Sequence, residues 1–205
     1  MPKQRITKEM VVDAAFEIAR SSGMEQVMVK AIADRIGCSV QPIYSYCRNM
    51  EGLRRDVVEK TKAFIREFVA EHIDRNDLFR STGQAYVRLA EEEPHLFRIF
   101  ILHRRENITS LEELYREEAG AATAGFIAGQ LDISIEEAKQ LHLNMLIYTI
   151  GIGTIFSMTT PGISAEEIYR QQERAYDAFL AQTLNRRKET GMEQKESPEE
   201  NLKSE

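Results

Sequence analysis

The chain has 205 residues, of which 42% are hydrophobic, and its net charge is −6. That length and apolar content supply a core without disulfide or metal staples, and the acidic sum argues against a nucleic-acid binder unless the charge is unevenly spread. It is uneven: residues 1–60 hold ten Lys/Arg against eight Asp/Glu, residues 61–187 fourteen against nineteen, and residues 188–205 three against six.

The first eight residues contain Lys3, Arg5 and Lys8 and no acid, either an ordinary charged terminus or a flexible arm that suits phosphates. They lack the apolar core of a signal peptide, and no run approaches the ~18 apolar residues of a membrane span. The expectation is a cytoplasmic protein with no membrane partner. Cys38 and Cys47 match no zinc or redox spacing, which points to a reducing compartment.

Thr7 followed by "KEMVVDAAFEIARSSG" predicts a capped helix that stops at Gly23. "VKAIADRI", from Val29 to Ile36, predicts a second, with Gly37 placed for a left-handed cap. Ser39 then caps a third helix after only two residues, so the two must cross steeply. Pro42 falls in its first turn, where no intrahelical hydrogen bond is lost.

A long helix is expected from about Gly52 to Asp74, then "STGQAYVRLAEEE", and "PHLFRIFIL" opened by Pro94. "SLEELYREEAGAATAGFIAGQL" is expected as one further helix. Ser134 with Glu137, and Ser164 with Glu167, have capping-box spacing and predict two last long helices, ending near Pro161 and Arg187. The polar, acid-rich stretch 188–205 is expected to be disordered. No strand pattern occurs, so the expected fold class is all-α.

A helix, a Gly-containing turn and a short capped helix match the helix-turn-helix unit that presents its second helix to a DNA major groove. The run "VVDAAFEIARSSG…VMVKAIADRIGCSVQPIYSYCRNMEGL" resembles the DNA-binding domain of the TetR family of bacterial repressors: the Ala-Ala and Gly of helix one, the Ile-Ala of helix two, the Gly-x-Ser turn, and the Tyr after the recognition helix. The match covers about residues 8–55. The chain departs from the family pattern at Ala19 and Cys47, where aromatics are usual, and at Met50, often a Lys that meets a phosphate. Either Phe16 and Tyr46 refill the lost volume or the domain is softer than usual. Arg48 is the candidate substitute for the missing cation.

The resemblance implies an N-terminal three-helix DNA-binding domain (1–51), a larger helical effector-binding and dimerisation domain (52–187), and a tail (188–205). It implies operator double-stranded DNA as partner, with Lys30 near one phosphate strand and Ser39, Val40, Gln41 and Pro42 facing bases. Tyr44 would donate to a phosphate, and Tyr46 and Arg48 suit further backbone contacts. Gln41 is the best base reader, since its amide can pair bidentately with adenine, whereas Val40 and Pro42 offer only apolar contact to a thymine methyl. The alternative makes Val40 and Ile43 core and the tyrosines half-buried packing.

"AYVRLAEEEPHLFRIFIL" is similar to a stretch in one branch of the family marked by a Trp-His-Gly motif, but around "LIYTIGIGTIF" neither Trp nor His accompanies the glycine. Gly125, Gly129, Gly151 and Gly153 permit close helix approach, either within one chain or between the last two long helices of a symmetric homodimer, which a palindromic operator requires. Phe97, Phe100, His103, Tyr148, Thr149 and Phe156 are either plain core or the lining of a cavity for a small, largely apolar effector. His72, His95, His103 and His142 are scattered, and no nucleophile–base set, phosphate loop or zinc motif occurs, so no metal, cofactor or enzyme activity is expected. The leading reading is a repressor released by its effector, and the rival is an interaction protein of the same fold that has lost operator binding.

Overall fold

The computed structural model describes residues 6–46, 49–74, 76–119, 122–159 and 162–193, with side chains given up to 185. Among the described residues there are ten α-helices, one 3-10 turn and no strand. The helices are α1 (Lys8–Ser22), α2 (Val29–Ile36), α3 (Val40–Tyr46), α4 (Met50–His72), α5 (Leu78–Glu92), α6 (Pro94–Leu102), α7 (Leu111–Glu118), α8 (Thr123–Leu131), α9 (Ile135–Met158) and α10 (Ala165–Glu193). Two compact units emerge: Met1–Glu106 with Ile150–Ile168, and Asn107–Thr149 with Tyr169–Glu205.

In the first unit, the Thr7 hydroxyl accepts from the Met10 amide at 3.2 Å and starts α1. Gly37 ends α2 in the left-handed conformation, φ 77 and ψ 37, which glycine adopts without a Cβ penalty. The core of α1–α3 is built from Val11, Ala15, Phe16, Ile32 and Ile43, and Leu96 and Ile99 of α6 share it. The first three helices therefore do not close a core by themselves. Ala19 is fully buried in the same core cluster as Phe16, whose ring lies 6.0 Å from that of Phe64. Tyr46 is 38% exposed.

Several expected boundaries shift. α4 begins at Met50 because the Asn49 side chain accepts from the Gly52 amide at 2.7 Å, which places Gly52 inside the first turn. The single helix expected over "SLEELYREEAGAATAGFIAGQL" is two, α7 and α8. The break comes at Ala119, whose backbone is extended (φ −101, ψ 128), just before the weak helix former Gly120, itself outside the described residues. α10 runs six residues beyond the expected end near Arg187, to Glu193, through the helix formers Lys188, Glu189 and Met192. The rest of the expected disordered tail lies outside the described residues.

In the second unit, Ser134 and Glu137 form a reciprocal capping box: the Ser134 amide donates to the Glu137 carboxylate at 2.7 Å, and the Glu137 amide to the Ser134 hydroxyl at 3.2 Å. The α9 helix that follows corrects one expectation. It is long and apolar enough, by length and composition alone, to cross a membrane: 24 residues, with an 18-residue window of mean hydropathy 1.4. Only 22% of that window is buried within the chain. One such helix is weak support for a membrane span, and its exposed apolar surface calls for some cover.

Candidate nucleic-acid interface

Seven residues of α3 separate cleanly by burial. Ile43 is fully buried in the core of the first unit, whereas Val40 is 43% and Tyr44 62% exposed, with Ser39 and Gln41 also exposed and Pro42 half-buried. Val40 is thus not a core residue. The buried Ile43 fixes the rotation of the helix, and that rotation turns Gln41 and Tyr44 outward together. Among the described residues neither side chain is engaged in a hydrogen bond; the Gln41 carbonyl accepts from the Ser45 hydroxyl at 3.3 Å. Lys30 on α2 is exposed as well. Arg48, and the small residue Cys47, lie outside the described residues.

Tyr46 has a different task in the fold. Its hydroxyl donates to the Ile6 carbonyl at 2.7 Å, so it ties the chain entering α1 to the end of α3. Next to it, Lys8, Ser45, Asn49, Gly52, Leu53, Arg55 and Asp56 line, with Tyr46, an open groove of about 380 Å³. Its two cations are lightly held. Lys8 pairs with Asp56 at 2.8 Å and Arg55 with Glu51 at 3.2 Å, all on exposed or half-exposed side chains, where an ion pair contributes about 0–1 kcal/mol. A phosphate can compete for them.

Met50, where a cation was missing from the sequence pattern, packs half-buried against the core of α1–α3. The cations of that region stand one turn later on α4: Arg54 is exposed and has no acid partner among the described residues, and Arg55 lines the groove. Sequence reasoning passed over both; the available signal was their place in the first turn and a half after the Asn49 cap.

The six residues expected at an effector cavity fall in two places. In the first unit Phe97 is 1% exposed, and Phe100 and Phe156 are packed half-buried on the same cluster with Ile65, Phe68 and Leu89. Phe100 stacks on Tyr86 at 6.0 Å, and His103 lies 6.0 Å from Phe100 with its Nδ1 bonded to the Phe100 carbonyl. In the second unit the Tyr148 hydroxyl donates to the Gln171 carbonyl at 3.3 Å, and Thr149 accepts from the Gln172 amide at 3.2 Å.

Among the described residues no group of three His, Cys, Asp or Glu stands together as a metal site. His142 accepts or donates a 3.1 Å hydrogen bond with the Tyr115 hydroxyl, and burial pulls its pKa down to about 4. Cys38 is a free, half-buried thiol.

A crystal structure of a TetR-like transcriptional regulator from Rhodococcus sp. RHA1 superposes with a TM-score of 0.59 over 86% of this chain and 99% of that one, at 12% identity. The fold is TetR-like. A second transcriptional regulator from the same Rhodococcus superposes with a TM-score of 0.52, 16% identity, over 88% of this chain and 97% of that one. No protein-family model matches the sequence. YobS, an uncharacterized HTH-type transcriptional regulator of Bacillus subtilis (strain 168), is 22% identical over 113 residues, 54% of this chain. The chain spans 59% of that relative's length. Within this TetR-like fold, α2 and α3 form the helix-turn-helix, and Gln41 and Tyr44 lie on the outer surface of its second helix.

Proposed function

We propose that the chain is a cytoplasmic, non-enzymatic transcriptional repressor that binds a pseudo-palindromic operator as a homodimer and is released by a small, largely apolar effector. The observation that carries this reading is the split of α3, with Ile43 sealed in the core and Gln41 and Tyr44 exposed with their side chains unbonded. A seven-residue helix that buries Ile43 and presents Val40, Gln41 and Tyr44 is suited to a major groove. Ser39, Val40 and Pro42 would face bases beside Gln41; Lys30, Tyr44, Arg48, Lys8, Arg54 and Arg55 would meet phosphates. Tyr46 would hold Ile6, and with it the start of α1, beside the DNA-facing surface.

The division of labour would place DNA reading in residues 1–51 and effector binding and dimerisation in 52–187. Two observations support a dimer. Ile147, Ile155 and Met158 are 49%, 56% and 65% exposed on α9, and Gly151, midway between Ile147 and Ile155 on the same face, has open space where a Cβ would stand. Gly125 and Gly129 are equally open, so at three of the four glycines read as helix-approach points a Cβ would meet nothing within 4 Å among the described residues. A second copy of α9 would cover this face. The aromatic cluster of Phe97, Phe100, Phe156 and His103 is the proposed effector region in the first unit. An effector would release DNA to the extent that it prefers the dimer whose recognition helices mismatch successive major grooves.

The rival, an interaction protein that no longer binds an operator, draws on the half-buried Met50 in place of a phosphate-binding cation. A gel shift of the purified chain on its own upstream DNA, with unrelated DNA in excess, separates the two. A discrete competitor-resistant complex supports the regulator, and no complex at any salt concentration supports the rival.

A further inference from the structure

Gln172 is 2% exposed and stands on the buried stripe of α10, one turn before Tyr176, itself 4% exposed. Its Nε2 donates to the Thr149 hydroxyl at 3.2 Å, but its Oε1 is buried with no hydrogen-bond partner among the described residues. Leaving a carbonyl oxygen so placed costs free energy, and a leucine or methionine would avoid the cost.

Thr149 is the second half of the anomaly. Thr61, Thr82, Thr154, Thr159 and Thr183 each donate their hydroxyl to the carbonyl four residues earlier. Thr149, 6% exposed, makes no such bond to Met145; its oxygen accepts from Gln172 and its proton is left to give. The pair therefore holds one acceptor and one donor side by side, each unsatisfied. Their neighbours along α9 are the buried Leu141 and Met145, with no charge among them. The Tyr148 hydroxyl on Gln171 and the Tyr148–Phe179 edge contact at 6.3 Å brace the two helices at this level.

We infer that Gln172 and Thr149 form the polar anchor of a binding site in the second unit for an apolar small molecule carrying one neutral hydroxyl or amide. The ligand's O–H or N–H donates to Gln172 Oε1, and its oxygen accepts from the Thr149 hydroxyl. A carboxylate is disfavoured, because it has no proton to give to Gln172 Oε1. A plain hydrocarbon leaves both protein groups unpaired, and a site built to hydrogen-bond a hydroxyl rejects analogues lacking one. The consequence for DNA rests on the effector reading above; binding itself does not.

The test uses the full chain with cyclohexanol and benzamide as probes and methylcyclohexane and toluene as controls, by calorimetry and thermal shift. The site predicts saturable binding of the two polar probes, at least tenfold tighter than the controls. It predicts a tenfold or greater loss in Gln172→Met and in Thr149→Val, and retention in Thr149→Ser. Gln172→Met should melt no lower than wild type without probe, since it removes an unsatisfied group. Equal binding of probes and controls, binding indifferent to all three variants, or a crystal structure of the probe-soaked protein with only a water bridging Gln172 and Thr149 would overturn the inference. Operator affinity measured with saturating probe reads the other claim: binding without release leaves this site standing and removes its link to the effector.

Discussion

Arg20 near the end of α1 and Glu93 at the joint of α5 and α6 form a forked ion pair across 73 residues of sequence. The Arg20 Nε donates to both carboxylate oxygens, at 3.0 and 2.9 Å, and Nη2 also reaches Oε1. The guanidinium lies 4.9 Å from the centre of the Phe64 ring on α4, and the bond to Glu93 raises its pKa further. Glu93 is only 14% exposed at its side chain, and its carbonyl accepts from the Phe97 amide in the first turn of α6. One side chain thus joins α1 to α4 and to the start of α6. Arg20→Ala strands a largely buried carboxylate and should cost about 2–3 kcal/mol in urea unfolding. Arg20→Lys, which keeps the charge but loses the fork, should cost less.

His142 makes stability depend on pH. Its pKa is about 4 when folded and 6.5 unfolded, so the unfolded chain binds the extra proton between those values. The neutral imidazole's contribution is complete above pH 6.5 and is lost as pH falls toward 4, a change of up to about 3 kcal/mol. Urea midpoints at pH 7, 5.5 and 4.5 should fall progressively, and His142→Phe should flatten that part of the profile.

Gly153 and Gly151 are two residues apart and should respond oppositely to alanine. A Cβ at Gly153 would stand 2.6 Å from the Phe97 ring, and Phe97 has no room to retreat at 1% exposure. Gly153→Ala should cost about 1–3 kcal/mol. Gly151 meets nothing within 4 Å in the chain, so Gly151→Ala should keep or improve monomer stability through helix propensity.

Ile155 is 56% exposed on the proposed dimer face. Ile155→Arg should leave helicity by circular dichroism unchanged and convert a dimer to a monomer in sedimentation experiments. A wild-type monomer at tens of micromolar would remove the dimer from the account.

Local chemistry was readable from the sequence, and long-range pairing was not. Thr7, Gly37, and Ser134 with Glu137 act within a few residues of themselves, so their caps could be named in advance. Asn49 was missed as a cap because Gly52 looked like a helix boundary, whereas it supplies the amide the cap needs. Apolar residues run through both α7 and α8, which hid the break at Ala119. The outward face of α3 followed from pattern and resemblance, but the fixing of Tyr46 on Ile6 spans 40 residues and has no periodic signature. Nor does sequence distinguish Gly153, which meets Phe97, from Gly151, which meets open space.

The central claim, that the exposed face of α3 reads DNA, is tested most directly by fluorescence-anisotropy titration of the upstream fragment with wild type, Gln41→Ala and Tyr44→Phe. Gln41→Ala should weaken specific binding by about 1–3 kcal/mol and relax preference at one base pair; Tyr44→Phe should weaken binding to all sequences alike. Both variants should keep the wild-type melting temperature, because neither side chain is bonded or buried. Specific binding that is unchanged in both variants would contradict the account.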